Sequence, residues 1–222
     1  MIVAIDGPAG AGKSTAARLL AARLGYTLLD TGAIYRVMAL RARQAGVAWD
    51  DGPGVAAFAD GLELSFRLEG TVNRVLLEGT DVTAAIRTPE MSDGASRVSS
   101  LPEVRAVLLG VQRRIGAAGD VVVEGRDIGT VVFPAAEAKF FLTASTDERA
   151  RRRTAELAAS GRQVDAAQTR ADMVARDERD SSRAVAPLRK ADDAIEIDSS
   201  GIPPDEVVER MVAVVRVRSK KQ

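Results

Sequence analysis

Cysteine and histidine are both absent from the 222 residues. That excludes disulfides, thiolate nucleophiles, imidazole bases, Ser-His triads and every Cys/His zinc site in one step. Any chemistry must rest on carboxylates, arginine, lysine, hydroxyls or backbone amides. Long apolar runs are missing too: the first, Met1 to Ile5, breaks at Asp6, and none approaches the roughly 18 residues of a membrane span. A cytoplasmic monomer is expected, with neither membrane nor nucleic-acid partners. Net charge is also lacking, since 31 Lys+Arg balance 31 Asp+Glu, and with 46% hydrophobic residues the composition is that of a soluble globular protein. Lysine is scarce, at 5 residues against 26 arginines. Either the base composition of the coding DNA accounts for this, or several arginines serve as bidentate forks for phosphate.

At roughly 150 residues per domain the length corresponds to about 1.5 domains, one carrying insertions or a pair of small ones. Ile2 to Asp6 reads as a short buried strand, Ser14 to Leu24 as a helix, Tyr26 to Leu29 as a strand and Ala33 to Ala45 as a helix stopped by Gly46. A β-α-β-α order implies a parallel sheet. The middle differs: Leu62 to Leu68 alternates with period two, Val72 to Leu77 follows the turn Glu69-Gly70-Thr71, and Asp81 to Thr83 follows Gly79, suggesting an antiparallel insert. Helical periodicity resumes over Pro102 to Ile115, before buried parallel strands at Val121 to Val123 and Lys139 to Leu142. Thr146 to Ala159 and Asp165 to Arg179 read as charged helices joined at Ser160-Gly161, Ile195 to Ile197 as a last strand and Pro204 to Val217 as a closing helix. Arg216 to Gln222 is a frayed basic tail, and neither repeats nor low-complexity tracts occur.

Gly7-Pro8-Ala9-Gly10-Ala11-Gly12-Lys13-Ser14 satisfies G-x-x-x-x-G-K-[S/T], and it lies between a strand and a helix, as that motif requires. The glycines allow successive N–H groups to turn inward, and the helix adds its positive end, so anionic phosphates fit there. Lys13 then reaches the β- and γ-phosphates, and Ser14 offers its hydroxyl to Mg²⁺. A GTPase needs an Asn-Lys-x-Asp or Thr-Lys-x-Asp tetrapeptide and a transporter ATPase an LSGGQ-like signature; neither occurs. A small-molecule kinase remains, beside a non-catalytic ATP-dependent switch. The switch leaves a second set of arginines unexplained: Arg36 after Tyr35, Arg126 beside Asp127 after a strand, and Arg176, Asp180 and Arg183 at i, i+4 and i+7 of one helix. An acceptor that is itself a phosphate ester needs such a cluster facing the first. Gly125-Arg126-Asp127 lies at the carboxyl end of a parallel strand, where ligands of α/β sheets bind.

These residues resemble the bacterial cytidylate kinases, the CMP/dCMP kinases of the nucleoside monophosphate kinase group. The resemblance runs over Gly7 to Thr15, Leu29 to Arg36, Glu124 to Pro134, and Arg176-Asp177 through Arg179-Asp180 to Arg183 and Leu188. It implies a three-layer α/β fold of the P-loop NTPase type, with a five-stranded parallel sheet. Residues 1–49 and 100–222 would form the core, with a short helical lid at about 149–165. Residues 50–99 would form an antiparallel β insert that binds the acceptor. The donor ATP, with Mg²⁺ on Ser14, would lie on Gly7, Pro8, Ala9, Gly10, Ala11, Gly12, Lys13, Ser14 and Thr15. Arg36, Arg126 and Arg183 would grip the α-phosphate of CMP or dCMP, with Thr31 and Tyr35 nearby. Ser96, Arg105 and Asp127 would read cytosine, and Arg176 and Asp180 would meet the sugar hydroxyls. Thr31 stands where relatives often carry serine. Lys13, Arg126, Arg183 and Arg153 would act on the transferring group. Arg149 and Arg153 would face the donor, with Arg151 and Arg152 pointing elsewhere, and Gly52, Gly54 and Gly161 would let insert and lid close. The rival acceptors are UMP, AMP or a shikimate-like hydroxyl.

Overall fold

The computed structural model describes the chain apart from residues 71, 118, 160, 162, 163 and 220–222. The turn at Thr71, the helix join at Ser160, the lid residue Arg162 and the tail from Lys220 to Gln222 therefore lie outside the described residues. Five strands, β1 (Ile2–Asp6), β2 (Thr27–Asp30), β6 (Val121–Glu124), β7 (Ala138–Thr143) and β8 (Ile195–Asp198), make one wholly parallel sheet in the order β2-β6-β1-β7-β8. β1 is central because successive crossovers pass to opposite sides of it. The two loops that leave β1 and β6 thereby share one carboxyl edge.

Both faces of the sheet are covered, which is why its strands read as unbroken apolar runs. Val3, Ile5, Val122, Phe140 and Leu142 point to one side, under α1 (Lys13–Leu24) and α8 (Pro204–Ser219). Ala4, Leu29, Val121 and Val123 point to the other, under α2 (Thr31–Gln44) and α5 (Pro102–Gly116). The charged helices α6 (Thr146–Ala159) and α7 (Ala166–Ser181) pack on each other.

Between α2 and α5 the chain forms the expected antiparallel sheet, β3 (Leu64–Glu69), β4 (Val72–Leu77) and a two-residue β5 (Thr80–Asp81). Two helices accompany it that periodicity did not reveal, α3 (Gly52–Ala56) and α4 (Pro89–Val98). Thr88 caps α4 by accepting from the Met91 amide at 3.1 Å, and Pro89 occupies the first turn. Met91, Ala95 and Val98 then bury one face. Gly52 and Gly54 lie inside α3, where an added Cβ on Gly52 would meet the Glu103 carboxylate at 2.5 Å. Both glycines, expected to let the insert close, are thus packed against carboxylate side chains, Gly54 against Asp51 as Gly52 is against Glu103.

Candidate active site

The loop from Gly7 to Gly12 bends through three positive φ angles, +144° at Gly7, +74° at Gly10 and +87° at Gly12. Gly7 also lies so close to β7 that a Cβ would fall 2.0 Å from the Leu142 carbonyl oxygen. Neither a side-chain cap nor an acidic residue occupies the first turn of α1, so its amides are left for an anion. The buried Lys13 ammonium donates to the Pro8 carbonyl at 2.7 Å. Burial holds its pKa well below the ordinary lysine value; the positive charges of Arg126 and Arg176 push it the same way, against Glu124. The Ser14 hydroxyl donates to Glu124 Oε2 at 2.8 Å. Burial, and then Asp30, push the Glu124 carboxyl up to about 7. Glu124 opens the Glu124 to Pro134 motif, but no role is assigned to it from the sequence. Its place beside the phosphate loop comes from register, because β1 and β6 run side by side with Ile5 opposite Glu124.

The acceptor-side candidates come from five segments: α2, α4 with Ser96, α5, the loop after β6, and the end of α7, which stops at Ser181 and so leaves Arg183 just beyond the helix on which it was expected. Thr31 opens α2 and donates to the Glu124 carbonyl at 2.7 Å; Tyr35 is buried on the same helix, with the Arg105 guanidinium 5.8 Å above its ring. Arg36, half-buried on that helix, bears on both Glu124 and Arg176 through its charge. Arg105 of α5 pairs with Asp127 and also donates to the Ser99 carbonyl at 3.3 Å. Burial raises the Asp127 pKa against the pull of Arg105 and Arg183. Arg126 donates from Nε to Asp180 at 2.9 Å, and Arg183 pairs with the same carboxylate while donating to the Ser99 hydroxyl at 2.9 Å. Burial alone would raise Asp180, yet Arg126, Arg183 and Arg176 hold it below its ordinary value.

One carboxylate cannot neutralise so many cations, and the surplus is visible. Arg176 is pushed down to about 9, chiefly by burial and then by Arg126. Arg176 Nε, Arg183 Nε and Ser96 Oγ are buried without a hydrogen-bond partner. A cluster in this state has uncompensated positive charge and unpartnered donors, which an oxyanion would satisfy.

Of the lid arginines, Arg149 turns to the phosphate loop, whereas Arg151 and Arg152 sit differently from expectation. Arg149 is buried; it donates to the carbonyls of Ala9 at 3.1 Å and Ala144 at 3.0 Å and pairs with Asp177 at 2.5 Å. It acts as a strut between the phosphate loop and α7. Arg153 is one-third exposed, paired with Glu156 at 2.7 Å, and its charge bears on Arg176. Arg151 and Arg152, expected to point elsewhere, line a cavity of about 450 Å³ together with Gly12, Thr15, Leu142 and Ile202. Glu148 holds both, and Arg152 is fastened further to Ser199 through the hydroxyl at 2.9 Å and the carbonyl at 2.6 Å. With Arg149 held on main-chain oxygens, the helix presents Arg151 and Arg152 to the cavity.

The fold is shared with a solved, uncharacterised protein from Eubacterium ventriosum, at a TM-score of 0.56 and 14% identity over 98% of each chain. Two curated relatives are far closer in sequence. The cytidylate kinases of Geobacter sulfurreducens and Syntrophotalea carbinolica are each 52% identical over 220 residues, 99% of this chain and 94% of theirs. With the family model described as cytidylate kinase also matching residues 3–217, the match takes in the sheet, the insert and the charged helices alike, and the chain belongs to the cytidylate kinase family.

Proposed function

We propose that this enzyme transfers the γ-phosphoryl group of ATP to CMP or dCMP, giving ADP and CDP or dCDP, as a cytoplasmic monomer. The observation that carries this reading is the convergence of two cation sets at one sheet edge: Lys13 in its amide-lined loop, and Arg126, Arg176 and Arg183 across from it. Among the described residues no helix is long and apolar enough to cross a membrane.

The roles follow from the chemistry of each group. The loop amides and Lys13 cradle the donor phosphates, and the apolar walls of the cavity beside Thr15 suit the donor's base and sugar. Arg36, Arg126 and Arg183 hold the acceptor phosphate, already an anion at neutral pH, so one of its oxygens attacks the γ-phosphorus in line without a general base. The new P–O bond forms as the bond to the β-phosphate oxygen breaks, and ADP leaves with that electron pair. Lys13 and the arginines, with Arg153 from the lid, neutralise charge as it shifts. Mg²⁺ fits here through hard oxygen donors, with Ser14 and Glu124 as the residues that would hold it. When bound, it would supply charge neutralisation for the donor phosphates.

Base choice rests on the Arg105–Asp127 pair and on the unpartnered Ser96 hydroxyl. The carboxylate accepts from the exocyclic amine of cytosine, whereas uracil would set a carbonyl oxygen against it. Arg176 and Asp180 face the sugar. An acceptor panel read by coupled ADP release tests the proposal: CMP and dCMP should stimulate turnover well above UMP, AMP, GMP and shikimate. Preference for another acceptor, or ATP binding without acceptor-stimulated turnover, would refute it.

A further inference from the structure

Asp6 ends β1, is 4% exposed, and has no cation as its hydrogen-bond partner. Its two carboxylate oxygens are each taken by a backbone amide: Oδ1 accepts from Ile128 at 2.8 Å and Oδ2 from Gly129 at 2.7 Å. A buried carboxylate is costly unless its partners need it, and here both partners lie in the loop that carries Arg126 and Asp127.

The peptide unit between Asp127 and Ile128 is pinned at both ends. Its N–H goes to Asp6, and its carbonyl accepts from Val131 at 2.8 Å and Val132 at 3.1 Å. That unit sets the direction in which Asp127 leaves the chain. Gly125 is tied to β1 as well, its amide donating to the Ile5 carbonyl at 3.0 Å. At Gly129 an added Cβ would meet Lys139 Cδ at 3.1 Å and Asp6 Oδ2 at 3.4 Å, so glycine leaves the carboxylate its place. The far end of the loop is held independently, by Arg113 on the Val131 and Val132 carbonyls at 3.0 Å and Lys139 on that of Pro134 at 2.6 Å. Asp6, directly before the phosphate loop, joins that loop to the Ile128–Gly129 turn through its side chain.

We propose that Asp6 is a positioning residue for acceptor recognition: its carboxylate fixes the Ile128 and Gly129 amides, aims Asp127 and Arg126 at the acceptor, and locks that aim to the phosphate loop beginning at Gly7. The proposal rests on the reading of Asp127 and Arg126 given above. The charged groups facing Asp6 are Asp127, Lys13 and, across Gly129, Lys139. Burial pushes its carboxyl up to about 6, while the two amides and Lys13 pull it down.

Asp6→Asn tests this, because it keeps the shape and one oxygen but sets an NH₂ against one of the two amides. For the folded variant, KM for CMP should rise about tenfold or more and the CMP-to-UMP ratio of kcat/KM should fall, with KM for ATP within about twofold of the unmodified enzyme. An unchanged ratio, or a parallel rise in KM for ATP, would overturn the proposal. Asp127→Ala, assayed alongside, separates the two claims: if it too leaves the ratio unchanged, the reading of Asp127 fails, whereas an effect there with none at Asp6 sinks the positioning role alone. Should Asp6→Asn not fold, amide NMR of the unmodified protein decides. The Ile128 and Gly129 amides should be protected from hydrogen exchange and should shift together when CMP but not ATP is added, and amides that exchange freely or do not respond to CMP would overturn the proposal.

Discussion

At the scale of the single residue, Lys13 concentrates the argument. Its charge is opposed in the free enzyme by burial and by Arg126 and Arg176. A phosphate reverses that balance, so the side chain contributes most when the transferring group is in place. Lys13→Ala should lower single-turnover phosphoryl transfer on the order of 100-fold or more, and retention of most of the rate would remove the loop from the mechanism. Asp6 makes a second, separate prediction, in stability. Its folded-state pKa of about 6 stands above the ordinary 3.8, so the native chain binds this proton more tightly than the unfolded one. The associated stability is fully present below about pH 4 and is lost as pH rises through about 6. Urea midpoints measured from pH 4 to 7 should therefore fall more steeply for the unmodified protein than for Asp6→Asn; parallel curves would contradict the raised pKa. The glycines and Lys13 of the loop were readable because their spacing is local. Asp6 and Glu124 were not, since each closes an apolar run and gains its meaning only when β1 and β6 lie side by side.

Among the elements, the tightest constraint is where the phosphate loop leaves β1. Gly7 has φ +144° and no room for a Cβ against the Leu142 carbonyl. Gly7→Ala combines backbone strain with a clash that no side-chain rotation relieves, and should cost at least ~2 kcal/mol. For a chain of this size that is a fall of roughly 5 °C or more in Tm by calorimetry, with ATP affinity lost alongside. A variant as stable as the parent would mean that β7 does not press on the loop. Strands flanked by turns and helices with caps were legible because short-range chemistry fixes them. α4 escaped because its sequence, Pro89 to Val98, has few large apolar residues; its burial depends on α2, far away in the chain. The arginines of α6 escaped for a similar reason. Their helical spacing fixes which of them share a face, but which face turns inward depends on partners far away in the chain, among them the Ala9 carbonyl that holds Arg149 and the Ser199 that holds Arg152.

For the whole molecule the question is whether residues 50–99 move and melt as a separate body. One apolar cluster runs from Ala4, Leu29 and Val123 of the sheet through Met38 of α2 to Val75, Ile86 and Met91 beyond it, so the middle of the chain has no core of its own. Trp49, the single tryptophan, stands at the seam. Its indole donates to the Ala39 carbonyl at 2.9 Å, Arg97 lies 5.7 Å over its ring, and Gly94 of α4 approaches so closely that a Cβ would sit 2.7 Å from the indole. A shared core makes unfolding cooperative across it. Trp49 fluorescence, which reports the seam, and far-UV circular dichroism, which reports the large sheet and its helices, should therefore give one midpoint in urea. Acceptor present at about 100 times its Kd should raise both midpoints together, by the equivalent of roughly 2.7 kcal/mol, since it binds only the folded arrangement of both parts. If fluorescence fell first, the middle segment would be an independently unfolding unit, and the arginines of the core would have to recruit it anew with each acceptor bound.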